Sequence, residues 1–373
     1  MKAAGSPFFR PLFLRAAFLI CAFISAASLA DSPAHQLDAA YAEYETLTAE
    51  GQFKEALPHA QAAYALGRDL FGPDSVEYAT LTFNYGKNLQ RTRGDDAVAV
   101  LEEALALHER LFGEQAVELI DPLLTLADAH GLWKEQQERA LRKRALKISQ
   151  SAYGKESVIH ARYQYEAAVA QLGRHIDSKD AQAWLRDAHS IFAAELGPEH
   201  PRTGLAAFHR GKLEMARKRY RRAVEFFEEA LTTFEEPDRP SNRLEMGTHA
   251  FLVEAYEHMG RSEEATRHCQ AIGRMKSQSP DQEWEALFVV APVYPRSALM
   301  GNKQGAVDLS LTVDEFGQVR EAEIISNSSK SQEIGKAALH AISQWRFAPR
   351  FENGEPVATQ IEQRMTFEFS TRP

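Results

Sequence analysis

Four glycines recur in near register along the middle of the chain: Gly72, Gly113, Gly154 and Gly197 lie 41, 41 and 43 residues apart. They sit in similar settings, Phe71-Gly72-Pro73-Asp74, Phe112-Gly113-Glu114, Tyr153-Gly154-Lys155-Glu156 and Leu196-Gly197-Pro198-Glu199. A period of this size constrains the fold more than any other feature, because it implies stacked units, each burying an apolar face only against its neighbour. Each glycine follows one apolar-periodic stretch and precedes another, as a helix stop requires. Between the first two, residues 76–90 place Tyr78, Leu81, Tyr85 and Leu89 at helical spacing, and residues 97–111 do so with Val98, Leu101, Leu105 and Leu111. Arg93-Gly94-Asp95 separates them, so the helices come in pairs with Gly94 marking the inner turn.

Within this pattern, Ala255-Tyr256-Glu257-His258-Met259-Gly260-Arg261-Ser262-Glu263-Glu264-Ala265 resembles the tetratricopeptide repeat. Gly51-Gln52-Phe53-Lys54-Glu55-Ala56 and Arg219-Tyr220-Arg221-Arg222-Ala223 share its shape, and Gly197-Pro198-Glu199-His200 is similar to the longer, kinesin-light-chain-type variant. The resemblance covers residues 36–277 and implies an all-α superhelix, or solenoid, whose groove takes up a segment of another protein.

The N-terminus has the pattern of an export signal. Lys2, Arg10 and Arg15 supply charge, residues 16–27 are apolar, and Ser28-Leu29-Ala30 gives small residues at a cleavage spacing, which predicts removal before Asp31. The apolar run is about 15 residues, short of the roughly 20 that cross a bilayer as a helix. Cys21 has Leu-Ile before it, which is not a lipoprotein-type junction. Loss of residues 1–30 removes three basic residues and no acidic one, moving the formal charge from -9 to -12. Such an acidic chain is a poor match for nucleic acid. Cys269 is then the one remaining cysteine, so neither an internal disulfide nor a cysteine metal cage is expected.

Beyond Ser277-Gln278-Ser279-Pro280 the composition changes, and a second domain, residues 285–371, is expected after the repeat domain of residues 31–279. Alternation over residues 306–313 predicts a strand, residues 314–318 a hairpin turn, and residues 319–326 its partner. Helical spacing follows over residues 332–344, with Ile334, Ala338, Leu339 and Ile342 on one face, and a last alternating run over residues 357–369 completes a β-β-α-β order.

Tyr294-Pro295, Gly305-Ala306-Val307, Val313-Asp314 with Gly317, Trp345-Arg346-Phe347, Pro349, Gly354, Pro356 and Phe367 together resemble the TonB C-terminal domain family. The chain thus reads as multidomain, a helical solenoid followed by a small α+β domain. The resemblance implies strand addition of a partner peptide at an exposed sheet edge. On this chain that places contacts at Val357, Thr359 and Ile361 in the last run and at Val293, Tyr294 and Pro295 before the first strand. The implied partners are other envelope proteins, outer-membrane receptors or inner-membrane energising proteins among them. Trp345 and Phe347 are expected in the core. Energy-transducing members of the family resemble a membrane helix, a proline-rich spacer and this domain in series, whereas here 16 scattered prolines provide no such spacer.

No paired carboxylates, zinc spacing, nucleophile elbow, phosphate loop or dinucleotide fingerprint occurs. His249, His258 and His268 read as surface or packing residues, and no cofactor, small-molecule substrate or enzymatic activity is expected. The run Arg217-Lys218-Arg219-Tyr220-Arg221-Arg222 reads as a solvated turn, with docking of an acidic partner through Arg217 and Arg221 as its functional alternative. Two functions stay open: a periplasmic, non-enzymatic adaptor, and a TonB-type transducer held at the inner membrane by an uncleaved N-terminus and serving transport.

Overall fold

The computed structural model describes residues 32–131, 134–234, 243–276 and 285–369. The expected export signal, the Ser277–Pro280 boundary and the last residues of the expected C-terminal domain lie outside this set. The chain divides into two compact units, residues 1–145 and 146–373.

The first unit is helical: α1 (Pro33–Ala49), α2 (Phe53–Phe71), α3 (Val76–Thr92), α4 (Ala97–Phe112), a short 3-10 turn, α5 (Ile120–Ala129) and the larger part of α6 (Glu135–Tyr153). The period read from sequence sets its punctuation. Gly72 and Gly113 end α2 and α4 with φ of 81° and 89°, where a side chain would be strained. Serine opens α1 and α3, Ser32 accepting from the His35 amide and Ser75 from that of Tyr78. The turn at Arg93-Gly94 forms as expected, but Arg93 takes the left-handed conformation. Small residues bring the helices close: Ala56, Ala60, Ala63 and Gly67 are the buried face of α2.

The second unit continues with α7 (Val158–Leu172), α8 (Lys179–Leu196), α9 (Pro201–Ala216), α10 (Tyr220–Phe234), α11 (Arg243–His258) and α12 (Ser262–Lys276). Gly154 and Gly197 again have positive φ. The core of its last repeats is aromatic, with Phe227 stacked on Phe251 at 5.2 Å between ring centroids. Burying each such ring contributes about 2–3 kcal/mol.

The same unit holds β1 (Ala286–Phe288), α13 (Arg296–Met300), β2 (Gly305–Val313), β3 (Val319–Asn327), α14 (Gln332–Ile342), β4 (Arg346–Phe347), β5 (Arg350–Glu352), β6 (Glu355–Val357) and β7 (Thr359–Phe367). The antiparallel order β3-β2-β7 matches the expected β-β-α-β sequence. Val307, Leu309, Leu311 and Val313 alternate into a core closed by Ile334, Ala338 and Ile342 of α14. The alternation of residues 357–369 is divided: Val357 ends β6, which pairs with β5, and β7 begins at Thr359. A one-residue break at Ala358 separates two ladders that alternation alone reads as one run.

Candidate interaction site

The two edges of the three-stranded sheet differ. β7 pairs with β2 in nine consecutive positions, from Gly305 opposite Phe367 to Val313 opposite Thr359, without a register shift. β3 pairs with β2 through two register shifts, and its Glu321 has φ of 50°. Bulges, a left-handed residue and the charges of Arg320, Glu321 and Glu323 are devices that blunt an edge. β7 carries no such bulge, and among the described residues no strand pairs with its far side.

The hairpin between β2 and β3 is fixed by the motif that carried the family resemblance. Asp314 accepts hydrogen bonds from the Phe316 and Gln318 amides at 3.0 and 2.8 Å and pairs with Arg320 at 3.0 Å. Gly317, with φ of 76°, brings its carbonyl to the Phe347 amide, and a Cβ there would lie 2.2 Å from the Phe347 carbonyl oxygen.

Of the residues singled out from sequence, Ile361 turns its side chain into the core, so at β7 it offers main chain alone, while Thr359 is half-buried at the strand start. Val357 lies in β6 and is half-buried. Val293 is 80% exposed. Tyr294 meets Phe367 edge-on and stacks on Phe369, and its hydroxyl donates to the Lys303 carbonyl, so it flanks the C-terminal end of β7. Pro295 caps α13. Arg217 and Arg221 belong to a different place, Arg217 in the turn after α9 and Arg221 in the first turn of α10, where they approach Glu214 at 3.7 Å and Glu225 at 4.0 Å.

Trp345 and Phe347 are core residues as expected, the indole N–H donating to the Val290 carbonyl at 3.0 Å. The arginine between them was not foreseen as a contact. Arg346, 4% exposed, reaches out of the sheet domain to the last repeat, its Nε 3.2 Å from Glu257 Oε1 and its Nη2 donating to Thr266 Oγ1 at 2.5 Å. The Nε approach to Glu257 is close enough for an ion pair but too oblique for a hydrogen bond. Around it, Gln270 donates to the Glu315 carbonyl, His258 packs edge-on against Phe288, and the Arg274 guanidinium lies over Phe351. Gly273 of α12 allows the closest approach, since a Cβ there would be 2.3 Å from the Pro349 carbonyl oxygen. Burial pushes the thiol of Cys269 in this interface up to about 11, against the opposing pull of Arg346.

β1 binds the two parts together. It pairs with β4; Ala286 and the nearby Val290 pack on the sheet core, while Leu287 and Phe288 pack on the core of the last repeats. Nothing in the local sequence of Glu257 or Arg346 announces their pairing.

A helical repeat scaffold followed by a small sheet with one unpaired, unbulged edge defines the class by its fold. The comparisons give the class its members: residues 290–369 match the family described as Gram-negative bacterial TonB protein C-terminal, and residues 90–115 and 177–236 match tetratricopeptide repeat families. The chain carries a TonB C-terminal domain at its C-terminal end, preceded by tetratricopeptide repeats. It is 36% identical over 72 residues to Protein TonB of Vibrio cholerae, covering 19% of this chain and 29% of that protein. Protein TonB of Pseudomonas aeruginosa is 28% identical over 92 residues, 25% of this chain and 27% of that one. The chain thus matches less than a third of either curated relative's length. The crystal structure of BtubC (BKLC) from P. vanneervenii superposes with a TM-score of 0.51 at 18% identity, over 65% of this chain and 98% of that one, a likeness of fold. Among the described residues no helix is long and apolar enough to cross a membrane.

Proposed function

We infer that this protein is a periplasmic, non-enzymatic adaptor of the TonB family. Residues 1–30 direct export and are removed, residues 31–279 form the repeat domain, and residues 285–371 the TonB-type domain. The repeats hold one envelope partner, and the sheet domain takes an extended segment of another, such as an outer-membrane receptor, by strand addition along β7. The observation that carries this reading is the difference between the edges: β7 pairs in nine positions without a shift, whereas β3 pairs through two register shifts and holds Glu321 at a positive φ, although both strands carry charged side chains. In an edge strand alternate amides point away from the sheet and exchange freely until a partner pairs with them. Addition of a peptide from the periplasmic face of an outer-membrane receptor should slow amide exchange in β7 and leave β3 unchanged. Protection confined to β3, or none in either strand, refutes strand addition here. Mass spectrometry of the natural N-terminus separates the adaptor from the membrane-held transducer: a start at Asp31 in the soluble periplasmic fraction supports the first, and an intact start in the inner membrane the second.

A further inference from the structure

Helices α8, α9 and α10 bring three guanidinium groups to one place. Arg210 of α9 lies over the ring of Phe226 with its Cζ 4.0 Å from the centroid, and its Nη1 is 2.8 Å from Nδ1 of His189. His189 is buried, and its Nε2 is 2.8 Å from Glu229 Oε1. Glu229 can only accept and Arg210 can only donate, so the imidazole carries its proton on Nε2 and accepts at Nδ1. Arg210 is thus fixed from two sides, by a ring beneath it and a nitrogen beside it. Its other guanidinium N–H groups form no hydrogen bond among the described residues.

Two more arginines extend this point into a patch. Arg186 precedes His189 by three residues on α8, and Arg222 precedes Phe226 by four on α10, spacings that put each on the same helix face as its neighbour. Both are exposed; Arg186 has Asp187 at 3.0 Å, while Arg222 has no ion pair among the described residues. Burial draws the Arg210 guanidinium down from its usual range, Glu229 and Glu214 oppose this, and the charges of Arg186 and Arg222 add to it. In a chain with formal charge -9, this concentration of arginine complements an anionic partner. A stacked, immobilised guanidinium with spare donors suits the paired oxygens of a carboxylate, because little side-chain entropy remains to be lost on binding.

We propose that the face formed by Arg186, Arg210 and Arg222 is a docking site for an acidic peptide segment of a partner protein, with a partner carboxylate held by Arg210. This deepens the adaptor reading and rests on it: it assigns the repeat domain's partner to a chemical class and to residues that share only Arg222 with the Arg217–Arg222 run.

The test uses the full chain and fluorescence anisotropy with a labelled ten-residue peptide of alternating Glu and Ala, against the same peptide with Gln in place of Glu. The Glu peptide should bind more tightly by about tenfold or more, with affinity falling as salt is raised. The double variant Arg186→Glu, Arg222→Glu changes two exposed positions and should lose about tenfold in affinity for the Glu peptide while its thermal unfolding stays that of the parent. Equal affinity for the two peptides, or an unchanged affinity in the variant, overturns the proposal. So does binding of inorganic phosphate alone at these arginines without binding of the peptide. Protection of β7 by a receptor peptide in the same variant shows that the adaptor reading survives when this site fails.

Discussion

Replacing Glu257 by alanine should destabilise the last repeat and the sheet domain together. Arg346 is 4% exposed and the Glu257 side chain 12% exposed, so the pair lies in the buried class, where removal of one partner leaves a desolvated charge and costs about 3–5 kcal/mol. The oblique approach of Nε to Oε1 and the surviving bond from Arg346 to Thr266 argue for the lower end, about 3 kcal/mol. Replacing both residues at once, Glu257→Leu with Arg346→Met, removes the orphaned charge and should restore most of the loss. Native-state hydrogen exchange under mild denaturant reads both effects, because the amides of α11, α12, β2 and α14 report opening of each part separately. The expected result is a common fall in protection across all four in Glu257→Ala, reversed in the double variant. A loss below about 1 kcal/mol, the scale of an exposed pair, would refute the assignment of a buried lock. A loss confined to α14 and β2 would refute the idea that repeat and sheet open as one.

Other substitutions test the same interface and the repeat core. Gly273→Ala would gain up to about 1 kcal/mol in an open helix, but here the added Cβ would lie 2.3 Å from the Pro349 carbonyl, so chemical denaturation should show a loss of about 1–3 kcal/mol instead. Stability should also fall in acid. Burial, reinforced by the charge of His268, draws His249 down to about 4, and burial with Lys212 does the same for His209. Their neutral forms stabilise the fold, so the contribution is complete above the unfolded value near 6.5 and is lost as pH falls from there to about 4, amounting to at most about 3 kcal/mol for each. Nδ1 of His249 lies 2.8 Å from Nδ1 of His268, which itself approaches Glu228 and stacks on Tyr256, so His249→Gln should flatten part of the decline; a melting temperature level between pH 7 and pH 5 in the parent would contradict this. Tyr294→Phe removes the bond to the Lys303 carbonyl and should cost about 1 kcal/mol by urea titration while leaving β7 paired with β2.

The repeat was legible because its signal is local. A glycine that ends a helix is required by the backbone at that residue, and Gly72, Gly113, Gly154 and Gly197 all have a positive φ that a side chain would strain. The hairpin was legible for a similar reason, Asp314 and Gly317 acting within one turn. What alternation could not reveal was a change of partner, as at Ala358, where β6 and β7 join different ladders although their side chains keep the same rhythm. The interface was less legible still. A buried arginine between two core aromatics is ambiguous until its acceptor is known, and the acceptor, Glu257, sits at the end of a repeat helix where sequence places a solvated residue. The arginine patch on α8, α9 and α10 was hidden in the same way, since of its three members only Arg222 belongs to the basic run at Arg217–Arg222, while Arg186 and Arg210 stand apart from it in sequence.

The attachment of the sheet to the repeats has a mechanical consequence. A segment paired along β7 and drawn lengthwise would load nine antiparallel pairs with β2 in shear, so that its hydrogen bonds resist together rather than opening one by one. From the sheet, the load can pass through β4 and β1, and through Arg346 to Glu257 and Thr266, directly into α11 and α12. A pull at the edge would therefore be felt in the last repeat through folded contacts, in parallel with the covalent chain. At this end the sheet and the last repeat are joined both by strand pairing and by a buried pair of charges, so a load has two folded routes between them.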